Sequence, residues 1–102
     1  MAIYKGTTPT FIFTFDDEDV NFNAAHHIYF TISYGNKKIT KTGNDIQYTE
    51  KEISVFFSQQ ETLDFDNSVK MQINWTYGNG LRASTPVMSY SFSDNLLDKV
   101  VD

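Results

Sequence analysis

The sequence predicts an all-β domain, two layers of short strands closed by a short C-terminal tail. Three observations carry this prediction. From Val69 to Tyr77 apolar and polar residues alternate without a break and run straight into Gly78-Asn79-Gly80. A period of two places Val69, Met71, Ile73, Trp75 and Tyr77 on one face of a half-buried strand that ends in a turn. The same alternation recurs in shorter segments, separated by Gly, Asn, Asp and Pro. Aromatic residues make up 16% of the 102 residues, and rings of that abundance supply the apolar area a small sheet core needs.

Taken in order, Thr8 to Phe15 is the first strong segment, with Phe11, Phe13 and Phe15 on one face and Thr10, Ile12 and Thr14 on the other. Pro9 cannot donate to a ladder, so it suits the start of an edge strand. The acidic run Asp16-Asp17-Glu18-Asp19 ends that strand. Ile28 to Tyr34 follows, with Ile28, Phe30, Ile32 and Tyr34 on one side, and Gly35-Asn36 signals a hairpin that needs positive φ. Lys37 to Thr42 is the returning strand, and its lysines discourage edge-to-edge aggregation. Gly43-Asn44-Asp45 turns the chain into the brief strand Ile46 to Tyr48, and Ile53 to Phe57 forms the next one.

Ser58-Gln59-Gln60-Glu61 has the S-x-x-E form of a capping box, so one helical turn opens there and runs through Leu63. Leu63 and Phe65 anchor a crossing between sheets. After Val69 to Tyr77, a last strand from about Thr85 to Phe92 places Met88, Tyr90 and Phe92 on one face, and Pro86 marks an edge. About seven strands with turn signals every 8–12 residues is the pattern of an immunoglobulin-like or related Greek-key β-sandwich. The antibody version differs in two respects: this chain has no cysteine pair, and its Trp lies on the sixth strand rather than the third. Residues 1–93 are read as the sandwich and 94–102 as the tail. Ser93-Asp94 can cap a short helix there, and Leu96, Leu97, Val100 and Val101 fall on one helical stripe. Such a tail docks on its own sandwich or packs against a neighbouring subunit.

Composition narrows the functional classes. The absence of cysteine removes disulfide scaffolds and thiolate metal sites. A formal net charge of −5 repels a phosphate backbone, which argues against nucleic acid as the main partner. No apolar run approaches the roughly 20 residues of a bilayer-spanning helix, so no membrane is expected as a partner. Met1 to Gly6 lacks the charged start and apolar centre of a signal peptide, so export by the general secretory route is not expected.

Asp17, Asp19 and Asn21 have the spacing of the first ligands of a calcium loop, but Phe22 stands where a glycine must turn and Ile28 where a bidentate Glu belongs. Asp64-Phe65-Asp66 fails the same test at Val69 and Trp75. His26-His27 is the one histidine locus, and on an extended strand adjacent side chains point apart. No G-x-S-x-G elbow accompanies the serines. Asn74-Trp75-Thr76 matches a glycosylation sequon but falls inside a predicted central strand. Gly78-Asn79-Gly80 precedes no helix and cradles no phosphate. Tyr29 and Tyr48 could stack on sugar rings. The residues therefore name no catalytic, cofactor or metal group.

Met1-Ala2-Ile3-Tyr4-Lys5-Gly6-Thr7-Thr8-Pro9-Thr10-Phe11 resembles the start of small proteins from the tail modules of phages and prophages of Gram-positive bacteria. The resemblance continues through the hairpin Ile39 to Gly43, the turn Gln60 to Phe65, the Trp strand and Leu96-Leu97-Asp98. The N-terminus is also similar in style to the sandwich domain that begins some phage baseplate proteins. The resemblance implies a non-enzymatic structural component of a virion, made in the bacterial cytoplasm and partnered by other virion proteins or by copies of itself. A carbohydrate- or surface-binding sandwich is the alternative. Under the first reading Leu96, Leu97, Val100 and Val101 are the interface residues.

Overall fold

The computed structural model describes residues 3–101; Met1, Ala2 and Asp102, which belong to the N-terminal resemblance and to the tail, lie outside the described residues. Nine strands and one α-helix follow in the order β1 (Ile3–Tyr4), β2 (Thr10–Thr14), β3 (Ala25–Tyr34), β4 (Lys37–Thr42), β5 (Ile46–Tyr48), β6 (Glu52–Phe56), α1 (Gln59–Asp64), β7 (Ser68–Tyr77), β8 (Arg82–Ser84) and β9 (Met88–Ser93). Single 3₁₀ turns precede β3 and β5. The larger sheet runs β1-β9-β7-β3-β4, with β8 pairing the far half of β7, and the smaller runs β2-β6-β5. All pairs are antiparallel except β1 with β9, which is parallel.

The alternation read from the sequence decides which faces meet. Ile28, Phe30, Ile32 and Tyr34 of β3 and Val69, Met71, Ile73 and Trp75 of β7 are all buried. They face Phe11 and Phe13 of β2 and Ile53 and Val55 of β6 across the space between the sheets. Rings carry most of that contact. Phe13 meets Phe30 at 5.8 Å between centroids, Phe30 meets Phe57 at 5.8 Å, and Phe11 reaches both Tyr90 and Phe92. Trp75 is packed edge-on by Phe15 at 5.9 Å and Phe22 at 5.1 Å, and its indole N–H donates to the Tyr77 hydroxyl at 3.0 Å.

The sequence-level strands are recovered with shifted limits. The predicted segment Thr85 to Phe92 is strand only from Met88 onward, as β9. Its start lies between β8 and β9, where Thr85 N–H donates to Ile73 O and Pro86 lacks a donor to continue the ladder. β3 begins three residues earlier than the apolar run, because a bulge between Ala25 and His27 extends its pairing with β7. The hairpin after β3 needs only one positive φ, that of Gly35 at 56°. That φ is what requires glycine; a Cβ there would also displace the exposed Asp66 carboxylate, whose oxygen would lie 2.9 Å away.

The predicted helical tail is not observed, since residues 94–101 take no helical conformation. The polar groups of the segment are engaged elsewhere. Asn95 accepts from the Leu97 N–H at 3.1 Å and donates to Lys5 O at 3.1 Å, while Val101 bonds the Gln59 side chain. A helix of so few residues is unstable by itself, so these long-range bonds prevail.

Trp75, 5% exposed and enclosed by Phe15 and Phe22, makes the clearest packing prediction. Trp75→Ala leaves a cavity and costs about 3–5 kcal/mol. Urea unfolding followed by circular dichroism measures it, and a midpoint equal to wild type would contradict the packing.

Candidate interaction surface

The surface of greatest chemical density surrounds α1, the short crossing from β6 to β7. Its start is the capping box legible in the sequence: Ser58 Oγ accepts from Glu61 N–H at 3.2 Å and Glu61 Oε1 accepts from Ser58 N–H at 2.9 Å. Thr62 is fully buried. Its hydroxyl accepts from Gly6 N–H at 2.9 Å and donates to Thr7 O at 2.7 Å, tying the link between β1 and β2 to the helix. Gly6 takes φ +81°, and a Cβ there would meet Leu63 at 3.0 Å.

Two lysines of β4 reach this helix rather than only guarding an edge. Lys37 pairs with Asp64 at 3.0 Å and Lys41 with Glu61 at 3.0 Å, while Lys41 also lies 4.8 Å from the centre of the Phe57 ring. The Tyr34 hydroxyl donates to Asp64 at 3.0 Å. Burial, followed by that bond and the neighbouring negative charge, pushes the Tyr34 phenol up to about 12. The hydrogen bonds from Lys37 and Tyr34 hold the Asp64 carboxyl below its ordinary range. For Glu61, burial pushes upward, but the Ser58 N–H and Lys41 outweigh it and the carboxyl is lowered.

The tail lies across this helix as an irregular strap. One end is fixed where Asn67 donates to Phe92 O at 2.9 Å and to Asp94 at 3.0 Å, with Lys5 3.2 Å from Asp94. The Asn67 amide and the Lys5 ammonium lower the Asp94 carboxyl. At the other end the Gln59 amide donates to Val101 O at 2.7 Å and accepts from Val101 N–H at 2.8 Å. Of the predicted interface residues, Leu96 is fully exposed and Leu97, Val100 and Val101 stay more than a third exposed. Val100 joins Tyr34, Ile39, Leu63 and Asp64 around a shallow groove of about 570 Å³. The strap therefore docks on its own domain through polar groups and leaves its apolar side chains on the surface.

The remaining candidates sit apart from this surface. Asp17 and Asn21 use their carboxylate and amide oxygens on the backbone N–H groups of Asp19 and Asn23. The carbonyl oxygens of Asp17, Glu18 and Val20 receive the Lys51 ammonium. The loop is thus held by a lysine from the β5–β6 connection, a contact no spacing rule reveals. Phe22, which spoils the calcium pattern, is a core residue against Trp75.

At the β3 bulge both His26 and His27 are exposed, with ring centroids 6.2 Å apart, so the opposed placement expected of a regular strand does not hold. Among the described residues no three His, Cys, Asp or Glu side chains gather closely enough to hold a metal ion. Among the described residues no helix is long and apolar enough to cross a membrane. The sequon residue Asn74 is within β7, where its amide oxygen accepts from Arg82 at 2.9 Å. Tyr29 lines a separate groove of about 420 Å³ with Thr31, Thr40, Asn74, Thr76 and Arg82, on the outer face of the larger sheet. Tyr48 is exposed and does not share it.

No protein-family model, no curated protein and no solved structure matches this chain.

The lowered Glu61 carboxyl has a definite pH consequence. A depressed carboxylate stabilises the fold above its unfolded pKa, and that stabilisation is lost as pH falls below the ordinary value of 4.5 toward the lower folded value. Glu61→Gln keeps a capping side chain and loses the ionic bond to Lys41, so it is less stable than wild type by about 0.5–1 kcal/mol near neutrality. Thermal melts from about pH 7 down to about pH 3 should show this gap closing with acid. A gap of constant size would refute the role given to Glu61.

Proposed function

We propose that the chain is a non-enzymatic structural component of a phage or prophage virion, in a tail, baseplate or head–tail junction, acting through contacts with other virion proteins. The observation that carries this reading is the strap. Asp94, Asn95 and the Val101 backbone are bonded within the domain, while the apolar side chains Leu96, Leu97, Val100 and Val101 stay exposed by 41% or more. An ordered apolar patch rimmed by charged and polar groups suits a protein contact. The sequence resemblance to tail-module proteins supplies the setting, with synthesis in the bacterial cytoplasm.

The scaffold is read as an immunoglobulin-like Greek-key sandwich. In support, a β1-β9-β7-β3-β4 sheet faces a β2-β6-β5 sheet. The chain changes sheet between β1 and β2, between β2 and β3, between β4 and β5, and through α1 between β6 and β7.

A carbohydrate- or surface-binding role is a second reading. The groove around Tyr29 favours it, since one ring, two threonines beside it and the Asn74–Arg82 pair are the chemistry that sugar hydroxyls and sugar faces engage.

Deleting residues 96–102 keeps Asp94 and Asn95, which hold Lys5, so the melting temperature should change by only a few degrees, the scale of about 1 kcal/mol in a domain of this size. In a host carrying the deletion, mass spectrometry of gradient-purified particles should detect full-length chain from wild type and lose the truncated one. Particles that lack the wild-type chain would end the virion reading. Calorimetric binding of a cell-surface glycan, abolished by Tyr29→Ala, would favour the second.

A further inference from the structure

The outer strands of the two sheets differ in how far their edges are protected. β1 offers two residues, and β5 and β8 three each. β4 has six but carries Lys37, Lys38 and Lys41. β2 has five residues, Thr10-Phe11-Ile12-Phe13-Thr14, all β-branched or aromatic and none charged. That is the composition sheet edges ordinarily avoid, because it invites another strand. The segment before it does not cover it, since β1 pairs with β9 in the other sheet.

The free groups of this edge follow from ladder parity. Phe57 N–H donates to Pro9 O, and Phe15 N–H donates to Lys51 O. Bonded and non-bonded pairs alternate in an antiparallel ladder, so Phe11 and Phe13 also bond toward β6. The backbone N–H and C=O groups of Thr10, Ile12 and Thr14 therefore point away from the sheet. All three residues are exposed, Ile12 by 60%.

Thr-Phe-Ile-Phe-Thr reads identically in both directions. A two-fold axis beside Ile12 sets Ile12 against Ile12 of a second copy as a bonded pair, Thr10 against Thr14, and Phe11 against Phe13. Every outward donor then meets an outward acceptor. Charge selects this antiparallel sense. The run Asp16 to Asp19 follows the strand at once, and antiparallel pairing puts the two runs at opposite ends of a strand about 17 Å long, beyond the Debye length of about 8 Å. Parallel pairing would bring them together. The same arrangement accounts for two apolar side chains on the polar outer face of the smaller sheet. Phe56, 52% exposed, lies diagonal to Ile12, and pairing aligns both with their copies in one apolar row.

We propose that the chain forms a closed dimer through β2, antiparallel about Ile12, fusing two three-stranded sheets into one of order β5-β6-β2-β2-β6-β5. This pairing goes beyond the virion reading and does not depend on it. The contact consumes the edge it uses, so it ends at two copies.

Sedimentation equilibrium on the full chain, from about 1 µM to about 1 mM, tests it. Wild type should reach twice the chain mass. Ile12→Lys and Ile12→Glu, checked for native melting behaviour, should each remain monomeric, and an equimolar mixture of the two should restore the dimer, because position 12 faces itself across the axis. If either variant fails to fold, Ile12→Cys provides the second measurement in this cysteine-free chain. Under mild oxidation it should cross-link at least about tenfold faster than Thr40→Cys on the β4 edge, as expected from the raised effective concentration within a pair. A wild type that stays monomeric at about 1 mM, that grows into open-ended polymers, or whose dimer survives undiminished in both charged variants would overturn the proposal.

Discussion

The closure of two small sheets over a continuous run of aromatic rings is the constraint on which this molecule depends. The smaller sheet has three short strands and could not persist alone, since a few strands become stable only when one face is covered. Phe11, Phe57, Phe65 and Phe92 meet one another edge-on or tilted at 5.2–6.1 Å, and Phe57 extends the run to Phe30. A second group, Trp75 with Phe15 and Phe22, seals the other end. Edge-to-face geometry adds about 0.5–1.5 kcal/mol per pair to the area buried. In a chain with no cysteine, this ring packing does the work that disulfides do in other small domains.

The polar clamp around α1 is a consequence of that closure. Once Phe57 and Phe65 are buried, the six-residue helix between them has no freedom to move, and its carboxylates are delivered to Lys37, Lys41 and Tyr34 of the opposite sheet. Among the described residues no buried side-chain nitrogen or oxygen lacks a hydrogen-bond partner. Thr62 shows how: its one buried hydroxyl is itself satisfied by a donor and an acceptor of the β1–β2 link. The strap lies on this hydrogen-bonded helix, joined to it at Gln59. Its leucines and valines stay exposed above that helix.

Two parts of the surface then stand out for opposite reasons. The β4 edge is long but charged, with two lysines committed to α1, whereas the β2 edge is uncharged and self-complementary in sequence. The difference originates in the path of the first residues. Because Ile3 and Tyr4 pair beside Phe92 and Ser93, they cap the larger sheet and leave the smaller one open.

The sequence alone makes legible the period-two faces of β2, β3 and β7, the glycine turns, the capping box at Ser58 and the place of Phe65 at the crossing, because each depends on neighbours a few residues away. It also placed Trp75 in the core. The tertiary structure decided what depends on distant partners. Nothing near Leu96 in the chain announces that Gln59 will take the backbone groups of Val101 or that Lys5 O will take the Asn95 amide, so the apolar spacing of the tail pointed to a helix that does not form. Nothing near Asp17 announces the Lys51 ammonium, and the bulge that turns both histidines outward arises from the register between β3 and β7. Local propensity and periodicity act over one or two turns of chain, whereas those choices were made by hydrogen bonds spanning up to ninety residues.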